Sequence, residues 1–233
     1  MILFTKLLLA HLIGDFVFQP SRWLIHKESK KIRSKFLYIH ILIHFLLILV
    51  LLWDLSYWKI ALVISVTHYF IDLAKLYSEP LFKNKTTPFF IYQFLHLAVL
   101  YVCSFYQNLW PTSVSLLAEI NWPLLTAFVF VTFPSAIIMS KLLQNMSEQI
   151  ALDHKSLPNA GKYIGMIERI FVLIFIILGR WEAIGLLITA KSVFRFNDLK
   201  ESNSRKLTEY ILIGTLLSFG MAIVTGLLYM YIS

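Results

Sequence analysis

Five of the seven histidines of this chain lie inside apolar runs, and they recur at one helical spacing. His11 precedes Asp15 by four residues, His40 precedes His44 by four, His68 precedes Asp72 by four, and Gln93 precedes His96 by three. Residues three or four apart stack on one face of an α-helix, so each pair points in a single direction. Imidazoles and carboxylates are costly in hydrocarbon and usually face a bundle interior or a polar cavity. Neutral imidazole and carboxylate are ordinary zinc ligands, and two histidines four apart can chelate one ion. The candidate ligand set is therefore His11, His40, His44, His68, Asp72 and His96. Asp15 and Asp72 are candidates for general acid–base work, joined by Glu168 of the second half. Two other uses of the same groups stay open, a proton relay and an interhelical hydrogen-bond network.

Composition sets the surroundings of these groups. The chain of 233 residues is 58% hydrophobic and 15% charged, outside the range of soluble globular domains. Apolar runs of roughly the 17–25 residues a bilayer requires recur along its length. Eight spans are expected, at about 3–19, 36–53, 58–77, 89–107, 122–143, 164–179, 181–196 and 209–231. The sixth and seventh are short and meet at Gly179-Arg180, as in a helical hairpin. Met1–Gln19 has neither a basic leader nor a small-residue cleavage site and reads as a permanent span.

The net charge of +8 is placed as membrane topology places it. Arg22, Lys27, Lys30, Lys31, Arg33 and Lys35 crowd the first loop, whereas the stretches 53–57 and 108–121 contain no base. This positive-inside pattern puts the odd-numbered loops in the cytoplasm and both termini outside. The basic first loop reads as a topology signal near anionic lipid, not as a nucleic-acid surface. His26 and His154 fall in loops and read as solvated. Cys103, alone in the chain, makes no internal disulfide. The tryptophans cluster near span ends, as in interfacial belts.

Topology then ties the polar groups together. At 1.5 Å per residue, His11, Asp15, His40, His44, His68, Asp72, Gln93 and His96 all fall within roughly 5–15 Å of the same membrane face. One shared site is the economical reading. In the second half, Lys162, Glu168, Arg169, Lys191, Arg195 and Glu209 are expected at one face as well. Lys162, Arg169, Lys191, Arg195 and Glu209 are the candidates for holding a phosphate or anionic headgroup. The loop before Lys162 lacks the spacing of a Walker-type phosphate loop. Gly214, Gly220 and Gly226 read as close-packing positions in the last span.

At these residues the sequence resembles a bacterial multi-pass membrane family known only as a domain of unknown function. The likeness lies in Ala10-His11-Leu12-Ile13-Gly14-Asp15-Phe16 with Gln19, the His68/Asp72 pair, and Gln93 with His96. It continues through Gly165, Glu168-Arg169, Ala190-Lys191-Ser192 with Arg195-Phe196, and Glu209-Tyr210 with Gly214-Thr215. The resemblance implies a polytopic fold and these site positions, without an assigned reaction. In ligand type alone, the set is also similar to that of integral-membrane zinc hydrolases such as alkaline ceramidases, with no ordered motif shared.

The expected architecture is an all-α, polytopic transmembrane bundle of about eight helices in a bacterial inner membrane. Residues 1–233 read as one membrane domain, with a four-helix His/Asp half (1–107) and a four-helix basic/acidic half (122–233). The favoured activity is a metal-dependent hydrolase using a divalent metal, zinc by ligand type. Its substrate would be a membrane lipid or lipid-linked molecule, expected to bear phosphate, met at the cytoplasmic face. A transporter of an anion or metal ion and a non-catalytic sensor or assembly subunit are the competing classes.

Overall fold

The apolar runs form helices. A computed structural model describes residues 2–105, 119–148, 160–202 and 205–233, with the side chains of 194–205 left aside, and these residues contain no strand. They form α1 (Ile2–Phe16), α2 (Ser21–Lys30), α3 (Lys35–Leu52), α4 (Trp58–Ser78), α5 (Thr86–Phe105), α6 (Trp122–Val131), α7 (Phe133–Leu142), α8 (Gln144–Ser147), α9 (Ala160–Ile177), α10 (Trp181–Ser202) and α11 (Arg205–Ile232). Four stretches are long and apolar enough to cross a bilayer: Lys35–Leu52, Leu55–Leu81, Thr86–Phe105 and Lys206–Ile232. Two bent pairs raise the number to as many as six. The count of eight adds α9 and α10, whose charges (Lys162, Glu168 and Arg169 in α9, for example) keep them out of that set.

Both bends have a proline as their cause. Where the sequence predicts one span through Gln19, α1 stops at Phe16, and the N–H groups of Val17 and Phe18 both close onto Ile13 O. Pro20 has no N–H to donate and restricts the residue before it. The chain turns by 80° and restarts as α2. The expected span over 122–143 is likewise broken, by 41°, between α6 and α7. Pro134 sits in the first turn of α7 and cannot donate to Phe130 O. Ser135 Oγ donates to that carbonyl instead, at 2.7 Å. Backbone freed inside a membrane protein needs this kind of substitute partner.

The Cα packing divides the chain into two compact units, Met1–Thr126 and Ala127–Ser233. In the first, α1 packs on α3 and α5, α3 packs on α4, and α4 packs on α5, closing a ring of four long helices. Leu7, Ala10, Ile48, Leu52, Ile60, Ala61, Ile64 and Leu100 fill its apolar core, and Cys103 packs half-buried against them. The outward faces carry Leu42, Leu46, Val50, Leu62, Val66, Phe70, Phe94 and Val102, all exposed. An apolar exterior around a ring that encloses polar groups is the pattern of a membrane bundle. At the end of this unit Thr126 Oγ1 donates to Thr5 O at 3.3 Å.

In the second unit α9 and α11 pack closely. A Cβ at Gly226 would lie 2.7 Å from Ile176 Cδ1, so glycine is required there by space. Gly214 is also close-packed, against Leu143, but Gly220 faces nothing within 4 Å and does not serve the role expected of it. The α9–α10 hairpin appears as expected. Gly179, at φ +67°, ends α9 in the left-handed conformation. Its N–H donates to Ile176 O, and that of Arg180 to Phe175 O at 2.7 Å, the paired bonds of a Schellman cap.

Because only backbone conformation demands glycine at 179, Gly179→Ala is expected to cost about 1–2 kcal/mol. Gly220→Ala should be neutral or slightly stabilising, since helical alanine loses less entropy than glycine. Thermal unfolding of the two variants in detergent checks the contrast.

Candidate metal centre

Four-residue steps along the ring helices generate layers. His11, His44, His68 and His96 form one layer, each from a different helix. One step in one direction lie Leu7, Ile48, Ile64 and Leu100, which line a void of about 10 Å³ together with the four histidines. That is room for one water-sized body. One step in the other direction lie Asp15, His40 and Asp72, with Gln93 beside them. All seven titratable groups of these two polar layers are therefore supplied by α1, α3, α4 and α5. His11, His40, His44, His68 and His96 are each at most 3% exposed.

The imidazoles converge through their Nε2 atoms. Asp15 Oδ1 lies 3.0 Å from His44 Nε2, 3.2 Å from His40 Nε2 and 3.5 Å from His68 Nε2. Asp72 Oδ1 lies 3.6 Å from His96 Nε2, and its Oδ2 lies 3.7 Å from His40 Nε2. Gln93 bridges the network: its Nε2 donates to Asp15 Oδ2 at 2.8 Å and its Oε1 is 3.0 Å from His11 Nε2. The ring of His96 stacks on that of His68 with centroids 3.9 Å apart.

Hydrogen bonding leaves one atom of this arrangement, His40 Nδ1, without a partner. His40 Nε2 and His68 Nε2 are 3.2 Å apart, and both face Asp15 Oδ1. If both rings offered Nε2–H to the carboxylate, the two hydrogens would oppose each other across that gap. If Nε2–H of His40 is nonetheless kept, its neutral ring presents Nδ1 as an acceptor, and that atom is buried with no hydrogen-bond partner. Nitrogen lone pairs directed at a shared cation remove the first conflict, while His40 Nδ1 stays without a partner in either tautomer. Metal–nitrogen bonds of 2.0–2.1 Å set tetrahedral ligand atoms about 3.4 Å apart, which the separations above bracket. Two donor groups, His11/Asp15/His44/His68 and His40/His68/Asp72, each have their ligand atoms within 4.8 Å of one another. The buried cluster could hold a metal ion, with His68 common to both groups. His11 Nε2 is also engaged by Gln93, so ligation and that hydrogen bond compete for one atom.

Lys27 is the member that the sequence did not single out. It appears there as one base among six in a topology signal. In the structure, Trp23 stacks on Phe36 at 5.0 Å and seats α2 against the bundle. Lys27 Nζ then donates to Asp72 Oδ2 at 2.6 Å, with the lysine 3% exposed. His26 is also not the solvated loop residue expected: it lies in α2, half-buried, with Nδ1 2.7 Å from Ser34 Oγ. His154 lies outside the described residues. At the outer edge of α2 the exposed Lys85–Glu28 pair, at 3.0 Å, raises the lysine pKa but contributes less than about 1 kcal/mol to holding the helix.

The second unit holds most of the other candidates. Lys191 Nζ donates to Glu168 Oε2 at 2.5 Å, so Glu168 is an ion-pair partner there. Arg169 is committed to the α6–α7 break: Nε donates to Val131 O at 2.6 Å, Nη2 to Thr132 O at 3.3 Å, and Nη1 to Ser218 Oγ at 3.1 Å. Lys162, Arg169 and Lys191 line a common cavity, whereas Glu209 is exposed and is not part of its lining. The side chain of Arg195 lies outside the described residues.

A family model described as "Protein of unknown function (DUF3307)" matches residues 3–125, and the chain belongs to that family. The matched segment contains every member of the His/Asp cluster, while the motifs around Glu168-Arg169 and Lys191 lie beyond it. No curated protein and no solved structure matches the chain.

Two outcomes follow from the packing around the cluster. A Cβ at Gly14 would lie 2.5 Å from His44 Cε1 and Nε2. Gly14→Ala is therefore expected to displace the imidazole from Asp15 and to cost about 1–3 kcal/mol, measured as a lowered unfolding midpoint. Lys27→Met leaves the buried Asp72 carboxylate with imidazoles alone beside it, an expected loss of up to about 3–5 kcal/mol. Adding Asp72→Asn should recover much of it. A double-mutant cycle on unfolding in detergent measures the coupling, and independent effects would exclude the buried pair.

Proposed function

We propose that the His/Asp cluster is a divalent metal centre, zinc by ligand chemistry, and that the protein is a membrane-embedded metal-dependent hydrolase. Its substrate class is a lipid or lipid-linked molecule bearing phosphate, met at the cytoplasmic face that the charge pattern assigns to the basic loops. The observation that carries this reading is the convergence of His40 and His68 Nε2 on one Asp15 oxygen at a mutual separation of 3.2 Å. Lone pairs so directed are placed to share a cation.

His40, His44, His68 and the two aspartates would hold the ion. When bound, it would supply Lewis acidity toward water and toward a phosphoryl oxygen. The chain's own groups account for the rest. Gln93 orients Asp15 and His11, and whichever carboxylate oxygen is not ligating can accept a proton from water. Lys27, already on Asp72, places an ammonium beside the site that an anionic substrate could share. Reaction by hydrolysis is favoured over ion transport by the layers beyond the histidines. Leu7, Ile48, Ile64 and Leu100, then Leu52, Ile60 and Ala61, form an apolar cluster beyond the histidines, with no titratable side chain among them. Such a site exchanges with one face only.

Inductively coupled plasma mass spectrometry of the purified full-length protein is the deciding measurement. Near-stoichiometric zinc, manganese or iron is expected in the wild type. In His44→Ala and His68→Ala it should fall by roughly tenfold or more, since each ligand lost removes a strong donor. Phosphate release from lipid phosphates should fall in parallel. Absence of metal from the wild type after reconstitution with each of these ions would overturn the metal centre. Metal without turnover on lipid phosphates or esters would leave the centre and remove the hydrolase.

A further inference from the structure

The second unit contains a cavity of about 490 Å³, within the few hundred to about 1,000 Å³ typical of small-molecule sites. Its lining is lopsided in charge. Lys141, Lys162, Arg169 and Lys191 border it, and among the described residues no carboxylate does. Glu168 pairs with Lys191 from outside this lining. Hydroxyls of Ser140, Tyr210, Thr215 and Ser218 are interspersed with the bases. The rest of the wall is apolar, through Ile137, Met139, Leu143 and Ile211. Gly161, Gly165 and Gly214 keep the backbone close to the space, and a Cβ at Gly165 would lie 3.2 Å from Arg169 Nη1.

This distribution matches an amphiphile with a compact anionic head. Several cationic groups and hydroxyl donors, with Glu168 engaging Lys191 from outside the lining, suit phosphate oxygens, which accept charge-assisted hydrogen bonds. The first turn of α9, which carries Gly161 and Lys162, adds the positive end of an 18-residue helix. Arg169 contributes charge from a fixed position, because three of its N–H groups anchor it to Val131, Thr132 and Ser218. The apolar wall has no use for inorganic phosphate but suits an acyl or prenyl chain.

We propose that this cavity is a phosphate-binding site for a lipid, with Lys141, Lys162 and Lys191 on the headgroup and Ile137, Met139, Leu143 and Ile211 on its chain. The proposal stands on the second unit alone and does not require the metal centre.

The test uses the full-length protein in phosphatidylcholine nanodiscs, titrated with short-chain phosphatidic acid by calorimetry. Saturable binding is expected. Lys162→Ala should weaken it by roughly tenfold, as loss of a charged hydrogen-bond donor does, and Lys162→Arg should retain most of it. Gly161→Phe is the steric variant: a Cβ there meets nothing within 4 Å, so the ring can enter the cavity mouth without disturbing the fold. It should abolish binding while leaving the unfolding midpoint unchanged. His44→Ala should leave the affinity unchanged, which separates this site from the metal centre. Inorganic phosphate alone is the second arm, and binding as tight as that of the lipid would overturn the lipid assignment. No saturable binding of phosphatidic acid, or equal affinity in wild type, Lys162→Ala and Gly161→Phe, would overturn the site itself.

Discussion

Two carboxylates in the interior of an apolar bundle set the terms for everything around them. Asp15 and Asp72 are both nearly shut off from solvent, and a carboxylate without water must find positive charge or a dense set of donors. Asp72 has Lys27 Nζ at 2.6 Å. Among the described residues, Asp15 is met by imidazoles and the amide of Gln93 and by no lysine or arginine. The ring of four helices, the glycine at position 14 and the folding-back of α2 can each be read as a response to that demand. The ring brings a histidine from every helix to one level. Gly14 lets α1 approach His44. The sharp turn after Phe16 delivers a lysine from the side where the ring would otherwise be open.

Much of the first unit was legible in the sequence because a four-residue repeat of His and Asp has few innocent explanations in an apolar helix. The pairs His11/Asp15, His40/His44 and His68/Asp72 specified both the inward face of each helix and the level at which the helices meet. The part that was not legible involves residues whose chemistry has a commoner use. Lys27 stands among five other bases, and nothing local distinguishes it from Lys30 or Lys31. A signal was nevertheless present in Trp23 and Lys27, four apart after a helix-opening Pro20, which fits an amphipathic helix better than an extended loop. Gly14, inside the histidine motif, was a second overlooked signal, since a glycine between two polar residues of an apolar helix marks close approach.

In the second unit the residue types were read correctly as a basic cluster, but their division of labour depends on backbone geometry that composition does not reveal. Pro134 breaks the α6–α7 segment, and the carbonyls of Val131 and Thr132 at the break are turned toward Arg169. Arg169, which looks from the sequence like a ligand for an anion, is held by those carbonyls. In the second unit the interrupted helix is tolerated because a long cationic side chain reaches its carbonyls from a neighbour. Lys27 serves the polar centre of the first unit after its break, and Arg169 serves the break itself in the second.

The closure of the ring has a consequence for how the chain is made. α1 is synthesised first but completes its packing only against α5, the last of the four ring helices to emerge. Until then Asp15 faces lipid, water or the insertion machinery without Gln93, and Asp72 arrives on α4 before its level is sealed by His96. The polar layers are thus assembled late and at once, from segments that are unfavourable in hydrocarbon one by one. Biogenesis must shelter the amino-terminal helices through about a hundred residues of synthesis, a delay at N-terminus-first rates of seconds to tens of seconds. The sequence order of the helices, and not only their final arrangement, therefore defines a window in which the nascent protein is most exposed to quality control.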